Sequence, residues 1–140
     1  MVGRGLGPAA KLVAVTIAPL PSPPLLVACL CARWCHLCGD YRSVFAAARI
    51  GRAGAARFVW VDIEDDEAVL GPVDVDDFPT LLIARHGRPL FFGPLTPQPG
   101  TLHRLLQSAA ANDLGELTDA ATRELVARVA VLAGHTGWTG

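Results

Sequence analysis

The sequence predicts an α/β domain, a central mixed β-sheet with helices on its faces and an extra helix at the C-terminus. Three observations carry this. Residues 25–32 form a continuous apolar run, the pattern of a strand covered on both sides, and residues 58–63, apolar but for Asp62, read as the next buried strand. Between them Tyr41, Val44, Phe45 and Ala48 stand at i, i+3, i+4 and i+7, the stripe of an amphipathic helix. Beyond them, residues 80–84 and 89–92 flank His86-Gly87, a hairpin signature. A parallel βαβ unit followed by an antiparallel ββα unit makes a mixed sheet with helices on its faces.

Each element has its own signal. Residues 11–17 are rich in Val and Ile and read as an N-terminal strand. Residues 19–24 hold four prolines and form a connector, since proline removes helix hydrogen bonds. A helix starts near Cys35, and Gly51 and Gly54 close it. The acidic run 64–67 suits a turn and the start of a short helix, which Gly71-Pro72 stops. Residues 101–111 place Leu102, Leu105, Leu106 and Ala109 on one helical face. A last helix covers about 118–133, with Leu117, Ala121, Leu125, Val129 and Leu132 aligned, Thr118 as N-cap and Gly134 as stop. Its apolar stripe is expected to pack against the domain.

The chain of 140 residues is expected to be one domain, with a core at about 25–111, an N-terminal strand and connector at 1–24 and a helical extension at 112–140. With 51% hydrophobic residues it has apolar surface enough for a core without disulfide staples. Net charge is −1 and the twelve Lys and Arg are scattered, so no basic stripe argues for nucleic acid. No run reaches the roughly 18 apolar residues of a membrane span. Residues 12–18 after Arg4 and Lys11, and Leu26-Val27-Ala28-Cys29, hint at export or lipid anchoring. The prolines interrupt the first signal, and cleavage before Cys29 would remove half of a strand. The expected compartment is cytoplasm, with periplasmic or lipid-anchored export as the alternative.

All four cysteines, Cys29, Cys31, Cys35 and Cys38, fall within ten residues. A disulfide scaffold would spread them to close long loops, whereas a local cluster suits redox chemistry or metal binding. Cys35 stands at the mouth of its helix, where free N–H groups and the aligned dipole favour the thiolate. Cys38 lies one turn deeper on the same side and is placed to resolve a mixed disulfide on Cys35. Trp34 suits an apolar rim. An imidazolium at His36 would stabilise the Cys35 thiolate and make the disulfide a stronger oxidant. Cys29 and Cys31 point to one face of a strand and read first as small buried hydrophobes. The sharper alternative makes Cys31 a third thiol that exchanges with the Cys35–Cys38 pair. His86 and His103 read as surface residues and His135 as part of a tail.

Trp34-Cys35-His36-Leu37-Cys38 after an apolar strand, with Phe78-Pro79-Thr80 opening a later one, resembles the thioredoxin family. Val61-Asp62-Ile63-Glu64, Gly87 and the 101–111 helix fall in matching order, so the similarity covers about residues 25–111. The resemblance implies a thioredoxin-like fold and protein-disulfide oxidoreductase activity. Cys35 and Cys38 would be the catalytic pair, and Trp34, Phe78, Pro79 and Thr80 the substrate groove. In that family the proline matching Pro79 follows a cis peptide bond and faces the active-site disulfide. No cofactor is implied beyond the redox-active disulfide. The implied partners are a protein disulfide or dithiol substrate and a regenerating redox partner.

Three departures stand out. Cys29 occupies the place of a family aspartate, and Trp60 that of a lysine which often pairs with it. The dipeptide between the thiols is His36-Leu37 rather than Gly-Pro, which tunes the pair. The Pro-rich connector leaves no room for the first family helix. Two other readings accompany these departures. One is a soft-metal module that uses the Cys29–Cys38 cluster and His36 for zinc, copper or an iron–sulfur centre. The other is a non-catalytic thioredoxin-like binding protein.

Overall fold

A computed structural model describes residues 24–52, 54–96 and 98–136. The N-terminal strand expected at 11–17, and all but the last residue of the connector, lie outside the described residues.

Among the described residues, four strands and four helices follow in order: β1 (Leu25–Cys31), α1 (His36–Gly51), β2 (Ala56–Asp62), α2 (Glu67–Leu70), β3 (Thr80–Arg85), β4 (Arg88–Pro94), α3 (Pro99–Ala110) and α4 (Ala120–Thr136). The strands form one sheet in the order β2-β1-β3-β4. β1 pairs with β2 in parallel and with β3 antiparallel, and β3 pairs with β4 antiparallel. The βαβ-then-ββα order read from the sequence gives this mixed sheet.

Alternation along the strands divides the core in two. Leu25, Val27, Cys29 and Cys31 of β1 join Phe58, Leu81 and Ile83 beneath Tyr41 and Phe45 of α1 and Leu102 and Leu106 of α3. On the other face Ala28, Leu30, Val59, Val61, Leu82 and Ala84 lie beneath Leu125, Val126, Val129 and Ala133 of α4. β1 is central and covered on both sides, so its whole length is apolar.

α4 therefore packs against the domain, as its stripe predicts, with two corrections at its ends. Its cap is Asp119, not Thr118. Asp119 Oδ2 accepts from Thr122 N (2.9 Å) and Thr122 Oγ1 (2.8 Å), a carboxylate being a better acceptor for the free N–H groups of a first turn. Those bonds hold its carboxyl below the ordinary carboxylate range. Gly134 does not stop the helix, which continues to Thr136. From the middle of α4, Arg128 donates to Val69 O (2.6 Å) and Leu70 O (2.9 Å). A guanidinium there satisfies the open carbonyls of α2. No helix among the described residues is long and apolar enough to cross a membrane.

Candidate active site

The C-terminal ends of β1 and β2, the entrance of α1 and the segment before β3 converge on the cysteine cluster. β1 ends at Cys31, and the Cys35 N–H donates to Ala32 O at 3.1 Å, a tight turn that reverses the chain into α1. Cys35 is the N-cap residue, with extended backbone (φ −89°, ψ 118°), and the helix proper begins at His36. Cys35 is half-buried, Cys38 is buried on the inner face of α1, and Cys29 and Cys31 are fully buried on β1.

The disulfide joins Cys31 to Cys38, with Cα atoms 5.8 Å apart, and leaves Cys35 and Cys29 as thiols. This differs from the expected Cys35–Cys38 pairing, and the reason is geometric. Cys31 sits at the end of β1 on the face that α1 covers, and Cys38 is the first residue of α1 turned onto that face. Their separation lies within the usual disulfide span. Both strand cysteines are buried, as their first reading expects, but Cys31 is bonded. Cys29 Sγ lies 3.6 Å from Cys31 Sγ. Burial pushes the Cys29 thiol well above its ordinary range, opposed by the charge of Arg42.

Around Cys35 the surface is apolar. Trp34 is 67% and Leu37 47% exposed, so both present apolar area where a visiting chain would land. The Trp34 ring meets Phe78 edge-on, with centroids 5.6 Å apart, and so ties the cysteine turn to the segment before β3. The Phe78–Pro79 peptide bond is cis. Antiparallel pairing of Leu30 with Thr80 sets Pro79, just ahead of β3, beside the last residues of β1. Pro79 and Thr80 are buried and Phe78 is half-buried. The Thr80 hydroxyl donates to Asp77 O, and the Pro79 carbonyl accepts from Leu95 N at 3.1 Å. His36 is exposed on the first turn of α1.

Beside the disulfide lies a cavity of about 150 Å³ whose lining includes Cys31, Cys38, Arg42, Trp60 and Asp62. The Arg42 guanidinium stacks over Trp60, 4.4 Å from the ring centre. Asp62 Oδ1 accepts from Glu64 N (2.9 Å) and Asp65 N (3.1 Å), and Arg33 pairs with both Asp62 (3.4 Å) and Asp65 (3.1 Å). Sequence reasoning missed Arg42 and the roles of Arg33 and Asp62. The available signal was that Arg42 stands four residues after Cys38, on the same helical face. His86 is exposed in its turn, and His103 Nδ1 lies 3.5 Å from Arg52 at the surface. The side chain of His135 lies outside the described residues.

For the soft-metal reading, no group of three or more His, Cys, Asp or Glu side chains among the described residues is arranged to hold a metal ion. Two of the four thiols it needs are joined to each other.

No family model and no curated protein matches the sequence. Solved structures do. The germline-specific thioredoxin Deadhead of Drosophila melanogaster superposes with a TM-score of 0.55 at 20% identity, over 60% of this chain and 79% of that one. The thioredoxin Mala s 13 of Malassezia sympodialis gives 0.55 at 20% identity, over 62% and 78%. Oxidised mitochondrial thioredoxin 3 of Saccharomyces cerevisiae gives 0.55 at 19% identity, over 61% and 79%. Likeness at this level of identity carries the architecture, and on it the chain is a thioredoxin-fold protein.

Proposed function

We propose that the chain is a thiol–disulfide oxidoreductase that exchanges electrons with cysteines of other proteins. The observation that carries this reading is the position of Cys35. It is a free, half-buried thiol at the entrance of α1, one helical turn from a disulfide sulfur and rimmed by Trp34, Leu37 and Phe78.

In the reductive direction the Cys35 thiolate attacks a substrate disulfide, forms a mixed disulfide and releases one substrate thiolate. Cys38, as thiolate, then attacks Cys35 Sγ. The Cys35–Cys38 bond forms, the second substrate sulfur leaves as thiolate and takes a proton, and two electrons have passed to the substrate. The same steps in reverse oxidise a dithiol. The apolar rim covers the substrate segment, and the backbone at Phe78 and Pro79 aligns it beside Cys35 while Thr80 anchors that turn. His36 and Leu37, between the two thiols, tune the pair. The sulfurs carry the electrons, and a separate redox partner regenerates them. The working compartment is the cytoplasm.

The test is catalysis of insulin reduction by dithiothreitol, together with oxidation of a dithiol peptide for the opposite direction. The parent protein is expected to accelerate one of them and Cys35→Ser neither. A parent no faster than Cys35→Ser in both assays overturns the reading.

A further inference from the structure

Four sulfurs run inward from the surface: Cys35 at the helix cap, Cys38 one turn on, Cys31 at the end of β1, and Cys29 behind it. The bond joins the two in the middle. Both are almost completely covered, at 1% exposure for Cys31 and 3% for Cys38, whereas Cys35 reaches solvent as a thiol. A disulfide so covered offers a thiolate from another protein little surface, but Cys35 lies three residues before Cys38, at the cap of the same helix.

We propose that Cys31 is a third redox-active residue: the oxidised protein stores its disulfide as the buried Cys31–Cys38 bond, and Cys35 brings it to the surface by attacking Cys38. This rests on the reading of Cys35 as nucleophile. The step balances without an outside reagent. The Cys35 thiolate attacks Cys38 Sγ, the Cys35–Cys38 bond forms, the Cys31–Cys38 bond breaks, and Cys31 keeps the electron pair as thiolate. One disulfide is exchanged for another, and the proton that Cys35 gave to solvent is matched by one taken up at Cys31.

The surroundings of Cys31 suit a leaving thiolate. Cys29 Sγ lies 3.6 Å away, and since a disulfide sulfur carries no hydrogen, Cys29 is the donor to it. Burial keeps Cys29 protonated, so it continues to present its S–H as charge appears on Cys31. The cavity that touches Cys31 and Cys38 is also lined by Arg42, whose positive charge already acts on the neighbouring Cys29. Its volume of about 150 Å³ leaves room for water to deliver the proton. A cysteine that serves only as a small core hydrophobe needs none of this.

The sequence offers a direct test. Trypsin cuts after Lys11, Arg33 and Arg42, so peptide 12–33 carries Cys29 and Cys31 while peptide 34–42 carries Cys35 and Cys38. The oxidised full-length protein is quenched in acid, alkylated with N-ethylmaleimide, digested and weighed. A buried disulfide joins the two peptides and leaves an alkylated Cys35. A surface disulfide leaves 34–42 alone, closed on itself. The expected result is the joined pair in the parent protein, with or without the closed peptide, retained in Cys29→Ala and lost in Cys31→Ala. A second readout is equilibrium with glutathione. If the buried isomer dominates, Cys31→Ala makes the oxidised form about tenfold less favoured, or ~30 mV for a two-electron couple. Finding only the closed peptide in the parent digest, or an unchanged glutathione equilibrium in Cys31→Ala where the joined pair predominates in the parent digest, overturns the proposal. The parent digest depends on no variant and on no turnover. A protein that carries the joined peptides yet fails with insulin and with the dithiol peptide therefore counts against the oxidoreductase reading alone.

Discussion

Cys29 and Tyr41 lie in the core beside the disulfide, and both are fully covered. Burial holds each of them in its neutral, protonated form; the Arg42 charge opposes this at Cys29, and the Cys29 charge adds to it at Tyr41. The folded state thus binds these protons more tightly than the unfolded chain. Their contribution to stability is complete below the ordinary values of 9.0 for Cys29 and 10.0 for Tyr41, and it is lost as pH rises above them. Each group should steepen the alkaline loss of stability by about 1.4 kcal/mol per pH unit. In urea melts of the oxidised protein between pH 8 and 11, Cys29→Ala is expected to remove the part that begins near pH 9, and Tyr41→Phe the part that begins near pH 10. Melts that fall in parallel for parent and variants would show that other groups drive the transition. That these two residues are interior was legible from their periodicity, since Cys29 alternates with core residues of β1 and Tyr41 heads the α1 stripe. Which sulfur bonds to which was not, because bonding depends on how far α1 sits from the end of β1, and spacing along the chain does not encode that distance.

At the scale of elements, the β3–β4 hairpin shows how local chemistry dictates shape. His86 and Gly87 both take positive φ, 51° and 81°, the backbone of a two-residue turn whose twist matches the flanking strands. A Cβ built at Gly87 meets nothing within 4 Å, and neither does one at Gly39 inside α1. Neither site has a steric barrier, so backbone preference alone sets the outcome, with opposite signs. Gly87→Ala is expected to lower the unfolding free energy by about 1 kcal/mol, because an L side chain disfavours the left-handed region. Gly39→Ala is expected to raise it by about 0.5–1 kcal/mol, because glycine is a poor helix former. Denaturant midpoints read both, and a shared sign would contradict this account of the turn. The hairpin was readable from His86-Gly87 between two apolar runs. The ends of α4 were less so, because Thr118 and Asp119 are adjacent cap residues and only the backbone direction decides which carboxylate or hydroxyl meets the free N–H groups.

For the molecule as a whole, the sheet separates stability on one face from chemistry on the other. α4 covers the face opposite the cysteines through Leu125, Val126 and Val129, and through Arg128 it also holds α2 in place. Leu125→Ala leaves a cavity in that face and is expected to cost about 3 kcal/mol, read by urea unfolding. The disulfide linkage found by peptide mapping should be unchanged, because Cys31 and Cys38 pack on the far side of the sheet. A variant that changes both would mean that the two cores are coupled through β1.

Legible in the chain alone were the order of the described elements, the two-sided burial of β1, the hairpin, and a cysteine cluster at a helix entrance rimmed by Trp34. These follow from periodicity and local backbone preference, which act over a few residues and are written in the chain. Packing in three dimensions bonds Cys31, not Cys35, to Cys38. It also brings Phe78 against Trp34, and sets Arg42, Trp60 and Asp62 around a cavity beside the disulfide. Those contacts depend on the packing distance between a helix and a sheet, a property of the whole core rather than of any segment.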